Sequence, residues 1–299
     1  MSSIFVQISA YEVPEISNTI YNLLNTFSKN HTINIGLHTC FKNKTDMVIP
    51  DLPNIKHIHS EAPNNIGVCR GRRLADSLYD GEDYYLQIDA HSRFNEYWDE
   101  FLISELHRFK SLGINKPFIT GYPAPYWYEE DVEILSPVDY VHAISLTYDK
   151  SSFKQKRYPV QTQIINETNT LFSLSVSAGS TFNEGPGIIP SDDVFFNGEE
   201  ISIAAMAFTR GFDVVLPQKP YMYHLYYDKK IPKKYLRSLV WQDWPEKYQE
   251  YMAISDKAVF DMFTQNIIGP QHLGTVRTLK EFEYFTGLNF ATGETKEPC

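Results

Sequence analysis

The spacing of apolar positions changes repeatedly along the chain. Residues 4–9 hold Ile4, Phe5, Val6 and Ile8 in a short apolar run that predicts a strand. Residues 15–28 carry Ile16, Ile20, Leu23, Leu24 and Phe27 at helical spacing. Ile33, Ile35 and Leu37 alternate within a second strand over residues 32–39, and residues 55–59 read as a third. A helix is expected over residues 64–79, with Val68, Leu74, Ala75 and Leu78 on its apolar side and Asn64 or Asn65 as its N-cap. Residues 84–88, aromatic and aliphatic between Gly81 and Asn95, then read as a buried strand. A β-α-β-β-α-β order argues for an α/β sheet of parallel strands joined by right-handed crossovers.

Past Phe94 the pattern loosens. Residues 97–112 form an amphipathic helix through Trp98, Phe101, Leu102, Leu106 and Phe109, and residues 117–120 a strand. Residues 121–128 read as an aromatic and proline loop, either a surface that stacks on substrate or a lid on the core. Residues 143–173 are polar and irregular, with strand segments. Residues 171–178 alternate like a strand, and residues 179–190 are rich in Gly and Pro, as a turn region is. A helix follows over residues 199–210, then strands over 213–216 and 221–226. Residues 229–263 are first basic, then aromatic and helical; residues 279–285 make a short last helix, and a disordered tail is expected from Ala291. No internal repeat is visible.

Composition narrows the class. With 299 residues and 42% hydrophobic residues, the chain suffices for one domain of two lobes or for two small domains. A net charge of -10 argues against a broad nucleic-acid footprint and requires that any phosphorylated ligand be met by locally placed Arg, Lys or metal. Cys40, Cys69 and Cys299 fit neither a zinc pattern nor a disulfide framework, so a reducing compartment is expected. The apolar run at the N-terminus is too short for a signal peptide, and no stretch approaches the roughly 20 residues of a membrane helix. A cytoplasmic protein with no membrane partner is the expectation. No Gly-x-Gly-x-x-Gly, Walker loop or Gly-x-Ser-x-Gly is present, which removes the common dinucleotide, P-loop and serine-hydrolase readings.

The candidate chemistry begins where residues 84–88 end. In extended chain, Asp89 and His91 point the same way. A carboxylate and an imidazole there suit a divalent ion such as Mn²⁺; the alternative is a solvated loop start. Ligands of such sheets bind beyond the carboxyl ends of the strands, which also brings in the loop after Ser9. A third metal ligand must come from a distance, and His224, at the end of an aromatic strand, is best placed. Glu199 and Glu200 open a helix after Gly198, where the helix dipole favours carboxylates; one of them is equally placed to face an acceptor or a transferred group. Asp192 and Asp193 share that ambiguity. Arg70, Arg72 and Arg73 cluster before the Asp89 strand, and a planar guanidinium such as that of Arg70 suits phosphate oxygens.

The order of these pieces carries a resemblance. Gln87-Ile88-Asp89-Ala90-His91-Ser92-Arg93-Phe94, then Gly198-Glu199-Glu200-Ile201-Ser202, then His224-Leu225-Tyr226, resembles the GlcNAc-transferase family that includes the cytoplasmic enzyme modifying hydroxyproline on Skp1. It is similar, more distantly, to the polypeptide GalNAc-transferases. The resemblance runs to about Phe290 and is weakest over residues 130–170. It implies a GT-A fold, an α/β Rossmann-like nucleotide-diphospho-sugar transferase with a mixed central sheet flanked by helices. It also implies a UDP-sugar donor, a divalent metal (Mn²⁺, or Mg²⁺) and retention of anomeric configuration. Asp89 and His91 match the family's metal motif, and His224 matches the histidine that completes it. Glu199 matches the first Glu of the Gly-Glu segment near the acceptor and, with Glu200 beside it, is the catalytic candidate. Ser9, Tyr11, Arg70, Arg73, Gln87 and Asp89 fall at donor-facing positions. Ala90 stands where the family usually has Ser.

A single catalytic domain is implied, with residues 1–94 as nucleotide-binding half, 95–228 as acceptor-binding half, 229–290 as helical extension and 291–299 as tail. The acceptor implied is a protein hydroxyl on Ser, Thr or hydroxyproline, or a glycan. Two alternatives stand beside it. One is hydroxymethylated phage DNA, met by Lys229, Lys230, Lys233, Lys234 and Arg237; the other is a module that binds UDP-sugar without turnover.

Overall fold

The computed structural model describes residues 1–42, 48–148, 160–165, 171–228 and 230–294. The expectations for Lys229 and for residues 295–299 lie outside the described residues, as does part of the irregular stretch over 143–173. The first half runs β1 (Ser3–Tyr11), α1 (Ile16–Thr26), β2 (Thr32–Phe41), β3 (Ile55–Glu61), α2 (Val68–Asp76), β4 (Tyr84–Asp89), β5 (Ser92–Phe94) and α3 (Trp98–Ser111). The second half adds β6 (Pro117–Thr120), β7 (Ala124–Glu129), β8 (Val132–Leu135), β9 (Ala143–Tyr148), β10 (Val160–Ile165), β11 (Ser180–Glu184), α4 (Glu199–Thr209), β12 (Asp213–Val215) and β13 (Met222–Leu225). The chain closes with α5 (Val240–Asp243), α6 (Pro245–Thr264) and α7 (Leu279–Thr286).

Seven strands form the central sheet in the order β12-β6-β11-β4-β1-β2-β3. β1 pairs in parallel with β2 and β4, and β2 with β3, as the alternation of strands and helices predicts. β11 is antiparallel to both β4 and β6, which makes the sheet mixed. The period of two along β1 sends Ile4, Val6 and Ile8 to one face, where Ile16, Ile20, Leu23, Trp98, Leu102 and Leu106 of α1 and α3 bury them. A second core, with Ala204, Met206, Met262, Phe263, Phe282 and Phe290, packs α4, α6 and α7 together. No helix among the described residues is long and apolar enough to cross a membrane.

Several expectations change. The stretch over 121–128 is not a loop: β7 and β8 form a hairpin, with Tyr126 buried and its hydroxyl on the Glu15 carboxylate at 3.1 Å. Pro123 and Pro125 sit in or before that strand, where the aromatic run decides the conformation. Residues 171–178 alternate yet form no strand; the strand is β11, inside the Gly- and Pro-rich region, where Ser180, Thr181 and Phe182 are buried by pairing with β4. Part of the expected tail is ordered, since Asn289 N–H donates to the Glu294 carbonyl at 2.9 Å and Gly293 N–H to the Asn289 carbonyl at 2.8 Å.

A four-stranded second sheet, in the order β5-β13-β7-β8, stands at the end of β4. Arg93 on β5 holds it to the first lobe. The residue is 2% exposed and pairs with Glu15, itself fully buried, and with Glu133 of β8 at 2.8 Å.

Candidate active site

The site begins where β4 runs out of partner. Asp89 is its last residue, opposite Ser9 at the carboxyl end of β1. The chain then bends rather than continuing extended, and Thr19 of α1 clasps the bend: its hydroxyl donates to the Ala90 carbonyl at 3.0 Å and accepts from Ser92 N–H at 3.0 Å. Ser92 Oγ donates to the Asp89 carbonyl at 2.9 Å. β13 pairs antiparallel with β5, His224 opposite Ser92, and Leu225 N–H donates to the His91 carbonyl at 3.0 Å. That register carries His224 to the pair 135 residues earlier, with Nε2 at 3.2 Å from Asp89 Oδ2. One ligand atom each from Asp89, His91 and His224 lies within 4.8 Å of the others.

Electrostatics favours these groups as ligands. Burial, then the charge of Arg237 and the neighbouring His224, pushes the His91 imidazole well below its ordinary value. Burial lowers His224 too, against the pull of Asp89. Both rings are therefore neutral near pH 7, the form that ligates a cation. Burial opposes the charge on Asp89, but the His224 hydrogen bond and the Arg72 guanidinium outweigh it and hold the carboxyl well below the usual range. His224 Nδ1 is buried with no hydrogen-bond partner. A Cβ on Gly179 would overlap the Asp89 carboxylate, so glycine leaves the room this carboxylate occupies. Two imidazoles and one carboxylate fit a divalent ion of the first transition row.

Arg72 and Glu199 stand behind this group. Arg72 Nη2 donates to Asp89 Oδ1 at 3.0 Å and Nε to Glu199 Oε1 at 2.7 Å. Glu199, 6% exposed at the start of α4, is raised by burial, with Arg72 opposing the shift. Glu200 accepts from Ala178 N–H at 3.4 Å. All of these line a cleft of about 1770 Å³ that continues past Phe196 and Trp241 along one face of α6.

The other expected residues divide. Ser9 and Tyr11 line the cleft; Ser9 Oγ lies 3.4 Å from His38 Nδ1, and the Tyr11 hydroxyl donates to Asp243 Oδ2 at 2.8 Å. Arg70, Arg73 and Gln87 do not line it. The turn of α2 sends Arg70 Nε to the Asp192 carbonyl at 3.2 Å and Arg73 Nε to the Asp192 carboxylate at 2.7 Å. Gln87, 2% exposed, points across the sheet and donates to the Ala178 carbonyl at 2.6 Å. The sequence singles out Arg70 of the arginine cluster for phosphate, yet Arg72 is the member that faces the site. α2 buries Cys69, Gly71, Arg72 and Ala75. Arg237, counted in a basic run, turns inward with Nη1 against His91 Nε2. His38, also on the cleft wall, had no signal beyond its place in β2.

A family model described as Glycosyltransferase (GlcNAc) matches residues 38–292. No curated protein matches the sequence. Among solved structures the chain is similar to GalNAc-T7 crystallised with UDP, GalNAc and Mn²⁺, at 12% identity over 95% of this chain and 54% of that one, with a TM-score of 0.50. It is also similar to residues 1–349 of TarS from S. aureus in complex with UDP-GlcNAc, at 11% identity over 85% of this chain and 66% of that one, with a TM-score of 0.43. The chain thus spans about half the length of GalNAc-T7 in that structure. The architecture is that of the GT-A fold.

Proposed function

The chain belongs to the GlcNAc glycosyltransferase family, and from that premise we propose that it is a metal-dependent, retaining enzyme moving a sugar, GlcNAc foremost, from UDP to a hydroxyl. The observation that carries the proposal is the convergence of Asp89, His91 and His224 at the strand ends, inside a cleft that also holds Arg72, Glu199 and Glu200. The structural likeness to GalNAc-T7, crystallised with UDP, GalNAc and Mn²⁺, supports the same choice of donor class and ion. Mg²⁺ is the second choice of ion.

Asp89, His91 and His224 would hold the cation, which would supply positive charge to the diphosphate leaving group. Arg237 Nη1 lies against His91 Nε2, so the guanidinium would have to turn aside for His91 to ligate through that nitrogen. Ser9 and Tyr11, with the His38 wall, bind the nucleotide end. The bond from C1 to the departing phosphate breaks, and the bond to the acceptor oxygen forms on the same face. The acceptor proton passes to the leaving phosphate oxygen. Glu199, fixed by Arg72, orients the sugar or the acceptor, and the more open Glu200 faces the same space.

The cleft exceeds the roughly 300–1,000 Å³ that encloses a small ligand, leaving room for an acceptor beside the donor. A protein hydroxyl, hydroxyproline included, is the first choice, in line with the member of the family that modifies Skp1; a glycan is the second. Of the basic residues behind the DNA alternative, Lys234 pairs with Asp131 at 2.7 Å and Arg237 turns to His91, which favours the protein or glycan acceptor over DNA. Cys40 and Cys69 are free thiols, which suits a reducing, cytoplasmic setting. In the proposed division of the chain, residues 1–94 hold the donor and 95–228 the acceptor, with α6 of the extension walling both.

A donor screen tests the function. Purified protein with Mn²⁺ is expected to release UDP from UDP-GlcNAc faster than from UDP-GalNAc or UDP-glucose, and not to act on GDP-mannose. No UDP release from any of the three UDP-sugars would sink the proposal.

A further inference from the structure

Arg72 is 2% exposed, with no solvent to carry its charge. Its guanidinium lies between carboxylates 17 and 127 residues away in sequence, Asp89 Oδ1 at 3.0 Å and Glu199 Oε1 at 2.7 Å. Nη1 reaches Gln7 Oε1 and the Ile88 carbonyl, both at 3.5 Å, and Gln7 Nε2 donates to the Arg72 carbonyl at 2.7 Å. The fork thus divides the Asp89 carboxylate: Oδ1 is taken by Arg72, and Oδ2 is turned toward His224. Gly179 closes a third side.

We infer that Arg72 is the positioning residue of the cation site. It fixes the orientation of Asp89 so that Oδ2 and the two imidazoles stay directed at one point, and it ties Glu199 to the same frame. The inference rests on the cation reading above and deepens it by assigning what holds the ligands in place. Groups behind metal ligands commonly govern affinity, and a planar fork does here what a lysine ammonium does not. Burial alone would make Arg72 an ordinary satisfied ion. Its separate contacts to a cation ligand and to the carboxylate that opens α4 give it a directional role.

The test is a Mn²⁺ titration of the 299-residue chain followed by EPR of the free ion, with UDP binding in EDTA measured in parallel by calorimetry. The samples are wild type, R72K, the charge-balanced R72Q/E199Q double variant, and D89A as a blank. Both Arg72 variants are expected to bind Mn²⁺ about 10- to 100-fold more weakly than wild type. Their binding of UDP in EDTA stays within about threefold of wild type. If R72K does not fold, the double variant, which removes one charge of each sign, carries the comparison. Wild-type Mn²⁺ affinity in the folded variants overturns the inference. So does a loss confined to UDP binding in EDTA, which would make Arg72 a donor contact instead. A wild type that takes up no Mn²⁺ overturns the cation reading, and the inference with it, whatever the variants do.

Discussion

At the residue scale the site depends on room around the Asp89 carboxylate. A methyl group on Gly179 would meet that carboxylate, which Arg72 and His224 already hold on its two oxygens. Gly179→Ala is therefore expected to lower UDP-sugar turnover at least about tenfold while shifting Tm by only a few degrees, a small effect by the standards of single substitutions. Steady-state kinetics beside a thermal melt would show it, and unchanged kcat would contradict it. His38 gives a second case. Burial, then the neighbouring His57 and His59, lowers its imidazole from 6.5 to about 4. The unfolded chain takes up this proton first as pH falls, so the contribution to stability is full above pH 6.5 and is lost on acidification toward pH 4. The loss amounts to about 3 kcal/mol at pH 4. Denaturant unfolding of wild type and His38→Gln across that window should diverge by this amount, and parallel curves would refute it.

Asp89 and His91 are legible locally, as polar residues that end an apolar run. Arg72 could not be found that way. Its burial depends on Glu199, far along the chain, and a rule that turns charge outward fails where two carboxylates wait inside.

At the scale of elements, β5 and the β7–β8 hairpin form the frame on which β13 presents His224. Arg93 is its pin, with Glu15 fully buried and the Tyr126 and Tyr128 hydroxyls both donating to the Glu15 carboxylate. Removing the cation from this group leaves a carboxylate stranded. Arg93→Met is expected to cost about 3–5 kcal/mol in chemical denaturation, and the Glu15→Gln/Arg93→Met double variant markedly less. A single-variant cost under about 1 kcal/mol would show the pair to be idle. Most helices and the first four strands were legible because each buries a face set by its own spacing. β11 and the β7–β8 hairpin were not. β11 owes its state to pairing on both sides with β4 and β6, and the hairpin to its pairing with β13 and the core that Tyr126 shares with Tyr223 and Leu225.

Across the whole molecule, the cleft draws on β1 and β4 from the first half, α4 from the second and α6 from the extension. Composition and spacing gave the α/β class, but not the antiparallel strand that mixes the sheet or the second sheet that carries His224 across the chain. Because all of these parts wall one space, UDP and Mn²⁺ together should stabilise the molecule as a unit. Counted as a single Mn²⁺–UDP ligand at 100 times its Kd, they add about 2.7 kcal/mol, which for a chain of this length is roughly 5 °C in Tm. Hydrogen exchange should show protection rising in α6 as well as at the ends of β1 and β4. Protection limited to residues 1–94 would contradict the shared cleft.

If Asp89, His91 and His224 hold a cation against the diphosphate of a UDP-sugar, the rate of UDP release from UDP-GlcNAc with Mn²⁺ will report it, before and after chelation, in wild type and in Asp89→Ala. Wild type should turn over, lose turnover on chelation and regain it with Mn²⁺, and the folded variant should show none above background under any condition. Turnover by Asp89→Ala at the wild-type rate, or a wild-type rate indifferent to chelation, would contradict it.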